Sequence, residues 1–312
     1  MSQKRTTFDG DEESDNYISM EGKTVIITGG TTGVGLATAK ELVRRKARVI
    51  LGLRHTERAD NAPQRVYLET DHYVHVYHLD LGSFESIWDF AAEVLSTETR
   101  LDVLINAAAM VPDCCIKDTT VDDNERCIQT NYIGPVLLTT LLLDLLKKST
   151  PSRVVNVSCN LHRLGSAKGV LDLLRDSKRN FAHPGLTYYH SKLAMVLFTD
   201  FLARELRDTG VTVNTADPGV LKDGSCVSYP GIQGALIRFF KRRCGKTEKE
   251  SAQTCVYLAI DPSVASVTGQ YYTDCTQHEL PISATDSLCM KKIYELTLRL
   301  SNAEEATRLL LN

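Results

Sequence analysis

Short apolar runs alternate with longer amphipathic stretches along most of the chain. Seven runs rich in Val, Ile, Leu and Tyr have the length of strands: KTVIIT from Lys23, RVILGL, YVHVYHL, LDVLIN, RVVNVS, VTVNTA and GQYYTD. The stretches between them have the periodicity of helices. Such alternation predicts βαβ units and therefore parallel strands. We expect an α/β fold with a doubly wound, mostly parallel seven-stranded sheet and helices on both faces.

The chain is predicted to form one domain behind a polar tail. The first twenty residues, MSQKRTTFDGDEESDNYISM, are acidic and have no apolar core, so we expect a disordered tail over 1–20 and neither a signal peptide nor an anchor. No repeat or linker divides residues 21–312. The most apolar run, PVLLTTLLLDLL from Pro135, is too short to span a bilayer and predicts a buried helix. We therefore expect an intracellular protein, most simply a cytoplasmic one.

Composition narrows the class of protein. Hydrophobic residues make up 43% and charged residues 24% of 312 positions, as in an ordinary soluble protein. The net charge of −3 gives no reason to expect a nucleic-acid partner. Nine cysteines are an odd number, and they include no C-x-x-C pair or His/Cys cluster, which favours reduced thiols and no metal site.

A glycine-rich turn joins the first predicted strand to the first helix. Gly29, Gly33 and Gly35 would let backbone N–H groups approach a dinucleotide pyrophosphate at the helix N-terminus. A structural tight turn or a methyltransferase could use the same glycines. The stretch TGGTTGVG, from Thr28 to Gly35, resembles the T-G-x-x-x-G-x-G of the short-chain dehydrogenases/reductases.

Tyr188 and Lys192 stand four residues apart, so a helix would bring both side chains to one face. A neighbouring ammonium favours phenolate, and we therefore expect Lys192 to lower the pKa of Tyr188 toward neutrality. A phenol tuned in this way could act as a general acid and base. Taken alone, the Y-x-x-x-K spacing is common and carries little information.

Further motifs in the same order extend the resemblance to the retinol-dehydrogenase-like branch of that family. These are NVSCNLH, YYHSKLA, DPG, KTEKESAQT and GQYYTDC, and the likeness runs from Glu21 to Cys275. The resemblance implies a Rossmann-type fold with Tyr188 as general acid/base and Lys192 holding the nicotinamide ribose. It also implies that Asn131, in QTNYIGP, supports a water of the proton relay. Cys159 stands where the family has the serine that orients the carbonyl.

The resemblance also assigns the cofactor contacts. Arg54 ends the second strand, where an acidic residue would bind a ribose hydroxyl, so its guanidinium indicates a 2′-phosphate and hence NADP(H). Asp80 matches an adenine-binding position, although capping a helix is an equally good use for it. The expected cofactor-binding residues are Gly29, Thr31, Thr32, Gly33, Val34, Gly35, Arg54, Asp80, Leu81, Asn106, Ala107, Tyr188, Lys192, Pro218, Gly219 and Val220.

Three departures from the family pattern predict weakened chemistry. A thiol at Cys159 is a poorer donor than a hydroxyl, and Ser158 should face the other side of its strand. A catalytic thiolate at Cys159 is an alternative, but no acid/base partner is evident beside it. The usual N-N-A-G is N-A-A-A from Asn106 to Ala109, and Asp223 replaces the threonine that would bind the carboxamide.

Together these features predict an NADP(H)-dependent oxidoreductase that interconverts a lipophilic, retinoid-like alcohol and its aldehyde or ketone. The alternative is a catalytically weakened relative that binds NADP(H) as a sensor or scaffold. The segment around 220–246 is expected to cover the substrate. Its IRFFKRRC stretch could instead make peripheral membrane contact, since aromatic and basic side chains suit an anionic bilayer. Because family members are often dimers, the resemblance also suggests a homodimer.

Overall fold

The computed structural model describes residues 17–54, 60–111, 118–175, 184–222, 243, 245–280 and 287–303. Within these ranges the strands form one sheet of eight, in the order β3-β2-β1-β4-β5-β6-β7-β8. The strands are β1 (Thr24–Thr28), β2 (Arg48–Leu53), β3 (His75–His78), β4 (Val103–Asn106), β5 (Ser152–Val157), β6 (Val211–Asp217), β7 (Tyr271–Thr273) and β8 (Thr276–His278). All seven predicted strands are present, and the α/β class is confirmed.

The sheet has eight strands, one more than the seven predicted. β8 pairs antiparallel with β7, with His278 opposite Tyr271, whereas every other neighbouring pair is parallel. The connecting turn holds Asp274 and Cys275 at φ values of 53° and 58°, in the left-handed region. Because β8 is three exposed residues, TQH, it has no hydrophobic pattern by which a strand could be recognised.

Helices cover both faces of the sheet, as predicted. They are α1 (Gly33–Arg44), α2 (Ala62–Thr70), α3 (Phe84–Thr97), α4 (Arg126–Ile128, π-helical Gln129–Ile133, then Gly134–Leu141), α5 (Leu143–Lys148), α6 (Ala167–Arg175), α7 (Pro184–Glu205), α8 (Glu248–Ile260) and α9 (Ser287–Leu300). α1 and α8 pack on one face, and α3, α4, α7 and α9 pack on the other.

The central strands are apolar throughout because both of their faces are buried. In β1, Val25 and Ile27 point to the core beneath α1 and α8, while Ile26 points to the core beneath α4 and α7. All three side chains are fully buried. A strand of a parallel sheet covered on both sides therefore shows a continuous apolar run instead of an alternating one.

The run that begins at Pro135 forms the end of α4 and most of α5, and its leucines are buried in the core, as predicted, except for the partly buried Leu141. Among the described residues, no helix combines the length and the hydropathy required to cross a bilayer.

The predicted tail falls largely on residues 1–16, which lie outside the described ranges. Tyr17 to Met20 are placed against the domain. The Arg45 guanidinium lies 5.5 Å from the centre of the Tyr17 ring, and the Met20 N–H donates to the Arg45 carbonyl at 2.7 Å. The packed chain thus begins a few residues before Glu21.

The two ends of the segment around 220–246 are joined by backbone hydrogen bonds. Leu221 and Lys246 form a parallel bridge, in which Lys246 N–H donates to the Val220 carbonyl at 2.7 Å. Residues 223–242 and 244 lie outside the described ranges, and they include Asp223 and nearly all of IRFFKRRC. The predicted covering role and membrane contact fall on that part of the chain.

Candidate active site

The carboxyl ends of the parallel strands open into a cleft of about 1570 Å³. It lies where the strand order reverses around β1, the position at which open α/β sheets bind their ligands. The predicted site residues that line it are Gly29, Thr31, Thr32, Gly33, Val34, Gly35, Arg54, Asp80, Leu81, Ala107, Cys159, Tyr188, Lys192, Pro218, Gly219 and Val220. Asn106 and Asn131 are instead buried behind the cleft wall.

The glycine turn is shaped by close backbone contacts. Gly29 and Gly33 have φ values of 76° and 62°, which side chains with a Cβ rarely adopt. A Cβ on Gly29 would lie 2.5 Å from the Cα of Ala108, so a larger residue there would displace the segment after β4. The turn therefore requires glycine at both positions for conformational or steric reasons.

The N-terminus of α1 presents backbone donors to the cleft. Its N-cap residue, Thr32, makes no side-chain capping bond. The Glu248 carboxylate, from the start of α8, instead accepts a hydrogen bond from the Gly33 N–H at 2.9 Å. Val34 and Gly35 follow in the first turn and line the cleft, so this end of the helix suits an anion such as a pyrophosphate.

Arg54 and Asp80 lie at the ends of adjacent strands, where the adenosine end of a dinucleotide would be expected. Arg54 is exposed and lines the cleft directly after β2. Asp80 accepts from the Gly82 N–H at 2.8 Å, whereas the cap of α3 is the Ser83 hydroxyl, which accepts from Ser86 N–H at 3.3 Å. Helix capping is therefore carried by Ser83, and Asp80 faces the cleft.

Tyr188 and Lys192 lie on one face of α7, as their spacing predicted. The Lys192 Nζ atom is 5.7 Å from the centre of the Tyr188 ring and donates to the Val157 carbonyl at 3.2 Å. Lys192 is 3% exposed, and both side chains line the cleft. The geometry brings a phenol and an amine together beside the ends of β5 and β6.

The expected lowering of the pKa of Tyr188 was wrong for this arrangement. Burial raises the pKa of the Tyr188 phenol strongly, and Cys159, Cys127 and Asp217 add to that effect. Burial also lowers the pKa of the Lys192 amine, which weakens its ability to stabilise phenolate. Desolvation acts on both groups of the pair, and spacing along a helix gives no information about desolvation.

Cys159 contacts the phenol as the family serine would be expected to do. Its Sγ donates to the Tyr188 Oη at 3.8 Å, which is a weak bond. Burial raises the pKa of the Cys159 thiol, so the structure gives no support to a nucleophilic thiolate. The Ser158 hydroxyl donates to the Lys192 carbonyl at 2.9 Å and is therefore engaged elsewhere.

Asn131 lies in the π-helical part of α4 and holds the segment that follows β4. Its Oδ1 accepts from Met110 N–H at 2.7 Å, and its Nδ2 donates to the Met110 carbonyl at 2.8 Å. The Nδ2 also donates to the Ser191 hydroxyl at 3.2 Å. Asn131 thus fastens one wall of the cleft to helix α7. A π-helical turn changes the backbone hydrogen-bond pattern at this point, as is frequent near functional sites.

The Asn106 side chain is buried in the core and does not line the cleft. Its Nδ2 donates to Asn156 Oδ1 at 2.8 Å and to Thr139 Oγ1 at 3.0 Å, while its Oδ1 is buried without a partner. Ala107 lines the cleft, and Ala108 N–H donates to the Thr28 hydroxyl at 3.1 Å. The alanines of this stretch therefore pack against the glycine turn.

The fold brings three further residues into the cleft that the sequence patterns did not indicate. Asp217 and Tyr271 line the cleft and are hydrogen-bonded to each other at 2.6 Å. Lys246 lies across Gly219, where its Nζ would be 2.8 Å from an added Cβ, and it forms an ion pair with Asp274. Asp217 belongs to the DPG motif, in which only Pro218 and Gly219 were expected to bind the cofactor.

Comparison with known proteins finds short chain dehydrogenases and retinol dehydrogenases as relatives. A family model described as short chain dehydrogenase matches residues 23–171. Mouse retinol dehydrogenase 14 is 40% identical over 89% of this chain and 85% of its own length. Human retinol dehydrogenase 13 is 37% identical over 92% of this chain and 86% of its own length.

Solved structures share the architecture. A protein from Mycobacterium paratuberculosis has a TM-score of 0.71 and 28% identity, with 92% of this chain and 96% of that chain covered. A short chain dehydrogenase from Shigella flexneri, complexed with NADP, has a TM-score of 0.63 and 22% identity, with coverages of 82% and 98%. At that identity the second likeness concerns the fold alone.

Proposed function

The chain belongs to the short-chain dehydrogenase/reductase family, in its retinol-dehydrogenase-like branch, and from this premise we propose that it is an NADP(H)-dependent oxidoreductase of lipophilic alcohols and carbonyls. The observation that carries the proposal is the Tyr188–Lys192 pair, which faces a cleft whose other end is the glycine turn. Membership of a fold family does not by itself establish a reaction, whereas this pair of side chains in the cleft offers a proton donor.

Several features of the cleft suit a nicotinamide dinucleotide. The glycine turn and the donors at the start of α1 would hold the pyrophosphate. The Arg54 guanidinium would pair with a 2′-phosphate, because no carboxylate follows β2 at that position. When bound, this cofactor would supply the hydride chemistry that interconverts alcohol and carbonyl.

The chain itself handles the accompanying proton. In reduction, Tyr188 Oη would donate a proton to the carbonyl oxygen, and in oxidation it would take one from the hydroxyl. Lys192, one turn away, would assist by favouring phenolate when a proton has left. Cys159 would orient the oxygen through a weaker bond than a serine makes, so turnover should be slow for this family.

Apolar side chains form part of the cleft wall. Leu161 and Val220 line the cleft although they are 41% and 60% exposed, and Met110 and Val111 also contribute to its wall. Burial of such surface by a ligand is favourable. Relatives named retinol dehydrogenase support a retinoid or a similar long apolar alcohol as the substrate class.

A second candidate function is an NADP(H)-binding sensor or scaffold with little turnover. It is favoured by Cys159, whose thiol replaces the hydroxyl expected beside Tyr188. Both candidates require the cofactor cleft, but only the first requires the Tyr188 proton path.

An assay of NADPH oxidation with retinal and medium-chain aldehydes separates the two candidates. We expect slow turnover that Tyr188→Phe lowers at least about a hundredfold, because general acid catalysis contributes factors of that size. The matched control is Tyr189→Phe, which removes the neighbouring hydroxyl and should keep most of the activity. Binding of NADPH without any turnover would identify the sensor, and equal loss in both variants would contradict the assigned role of Tyr188.

A fluorescence titration tests the cofactor assignment in parallel. Wild type should bind NADPH more tightly than NADH, and Arg54→Ala should remove most of that preference by weakening NADPH alone. Arg163→Ala removes an equal charge from another part of the cleft wall and should leave the preference intact. A wild-type preference for NADH would contradict the assignment.

A further inference from the structure

Lys246 lines the cleft, and its side chain runs along the turn that follows β6. Gly219 in that turn has a φ value of 73°. A Cβ on Gly219 would lie 2.8 Å from the Lys246 Nζ, 3.0 Å from its Cε and 3.2 Å from its Cδ. The end of the lysine side chain therefore packs against the open side of this glycine. The Lys246 side chain is 16% exposed, so its ammonium is largely enclosed by protein.

The backbone around Lys246 is held next to the N-terminus of α1. Lys246 forms a parallel bridge with Leu221, and the Cδ2 atom of Leu221 would be 3.4 Å from a Cβ placed on Gly33. Two residues after Lys246, Glu248 accepts a hydrogen bond from the Gly33 N–H at 2.9 Å. The segments on both sides of Lys246 thus contact the start of α1, where the glycine turn suits a pyrophosphate.

The ammonium of Lys246 has an anionic partner that a ligand could replace. It forms an ion pair with Asp274, in the turn between β7 and β8, whose side chain is 50% exposed. Exposed ion pairs are weak because water screens the charges. A phosphate that enters the cleft could take the place of this carboxylate, and a lysine suits that role because its ammonium is a compact charge with three donors.

The charges near α1 give a reason for a cation at this point. The carboxylate of Glu248 lies at the first N–H of α1, so an incoming pyrophosphate would meet a negative charge there. An ammonium in the adjoining cleft wall offsets that repulsion. The other basic residues that line the described part of the cleft come from elsewhere in the fold: Arg54 after β2, Arg126 at the start of α4, Arg163 after β5 and Lys192 on α7.

We propose that Lys246 is a cofactor-binding residue, whose ammonium exchanges Asp274 for the pyrophosphate of the dinucleotide. The inference rests on the proposed function, and it divides the recognition of cofactor charge between two residues. Lys246 recognises phosphates that NADPH and NADH share, whereas Arg54 recognises the 2′-phosphate that NADPH alone carries. Loss of Lys246 should therefore weaken the binding of both dinucleotides and leave the preference between them unchanged.

Fluorescence titration of the purified protein with NADPH and with NADH tests this division. Lys246→Met removes the charge and keeps a long side chain, so both dissociation constants should rise about five- to twentyfold, by similar factors. Lys222→Met is the matched control. It removes an equal charge from the other end of the same segment, is exposed and does not line the cleft, so both dissociation constants should equal those of wild type.

Asp274→Asn separates a binding role from a structural one. This variant breaks the same ion pair but keeps the ammonium, and asparagine readily adopts the φ value of 53° found at this position. Both dinucleotides should then bind as tightly as to wild type, or up to about threefold more tightly, because the carboxylate no longer competes with phosphate. If the ion pair only held the two segments together, Lys246→Met and Asp274→Asn would weaken binding alike.

Urea denaturation shows whether each variant is folded, and Lys246→Gln replaces Lys246→Met if the latter is not. Unchanged binding without the charge, a loss for NADPH alone, or an equal loss in Asp274→Asn overturns the inference. Failure of wild type to bind either dinucleotide would overturn the proposed function together with it. Because wild type and variants are titrated side by side, the two failures are distinguishable.

Discussion

At the scale of single residues, the surroundings of Tyr188 depend on groups from distant parts of the chain. Cys159 follows β5, Cys127 lies at the start of α4, and Asp217 ends β6. Their combined effect with burial raises the pKa of the phenol, whereas the spacing to Lys192 predicted the opposite. Burial and these neighbours, and not the spacing along α7 alone, therefore set the pKa of the phenol.

The thiol of Cys159 offers a direct test at this scale. Cys159→Ser should raise kcat for carbonyl reduction about tenfold or more, because an oriented hydroxyl donor stabilises the developing oxyanion better than a thiol does. Steady-state kinetics with NADPH and retinal provide the measurement.

The matched control for that variant is Cys275→Ser, which changes a half-buried thiol elsewhere in the protein. Its kcat should equal that of wild type. A folded Cys159→Ser protein with unchanged kcat would show that the lost hydroxyl does not limit the reaction.

At the scale of elements, two helices that are far apart in the sequence share one hydrogen bond at the cofactor cleft. α1 begins at Gly33 without a capping side chain of its own, and Glu248 of α8 supplies the acceptor. α8 has a separate capping box formed by Thr247 and Glu250. The start of α1 is therefore capped by a residue more than two hundred positions later, which sequence patterns near α1 cannot indicate.

Removal of this cap should destabilise the fold measurably. Glu248→Ala is expected to lower the free energy of unfolding by about 1 kcal/mol, the usual value for a lost N-cap bond, and Glu248→Gln should lose less because its amide oxygen still accepts. Urea denaturation gives both values. Glu85→Ala, at the start of α3, removes a first-turn carboxylate from a helix capped by Ser83 and should cost only a few tenths of a kcal/mol.

At the scale of the whole molecule, one buried carboxylate joins the amino ends of the central strands, on the side of the sheet opposite the cleft. Asp102 accepts from Thr24 N–H at 2.9 Å, Lys23 Nζ at 3.0 Å and Arg100 Nη2 at 2.6 Å. Its backbone also pairs with β1 and with Arg153 at the start of β5. Burial alone would raise the pKa of Asp102, but these donors outweigh it and hold the pKa below its ordinary value of 3.8.

The linkage between this pKa and stability has a definite sign. Because the folded protein binds the Asp102 proton less readily than the unfolded chain, the contribution is complete well above pH 3.8 and is lost as pH falls below that value. Asp102→Asn should therefore lower the free energy of unfolding at pH 7 by about 2 kcal/mol, with a smaller difference at low pH.

Urea denaturation of wild type and variant at a series of pH values measures this change. Asp89→Asn, on the exposed surface of α3, is the matched control and should differ little from wild type at any pH. A difference at Asp102 that stays constant down to pH 3 would contradict the pKa argument.

Much of the fold and many of the cleft residues could be predicted because their signals are local. The central strands β1, β4, β5 and β6 are runs of mostly apolar residues that are buried on both faces, and the glycine turn follows β1 directly. Spacing placed Tyr188 and Lys192 on one helical face. β8 has no such signal, and the bond between Asp217 and Tyr271 joins residues 54 positions apart in sequence. Local hydrophobic patterns and residue propensities carry no information about a hydrogen bond between residues so far apart in the sequence.

The sequence alone determined the order of strands and helices, the helical face shared by the phenol and the amine, and the glycines that the turn needs, because each depends on neighbouring residues. The tertiary structure decided the burial of Tyr188 and Lys192, the capping of α1 by Glu248 and the hydrogen bond between Asp217 and Tyr271. Desolvation and charge act through space, so they are set only when distant segments pack together.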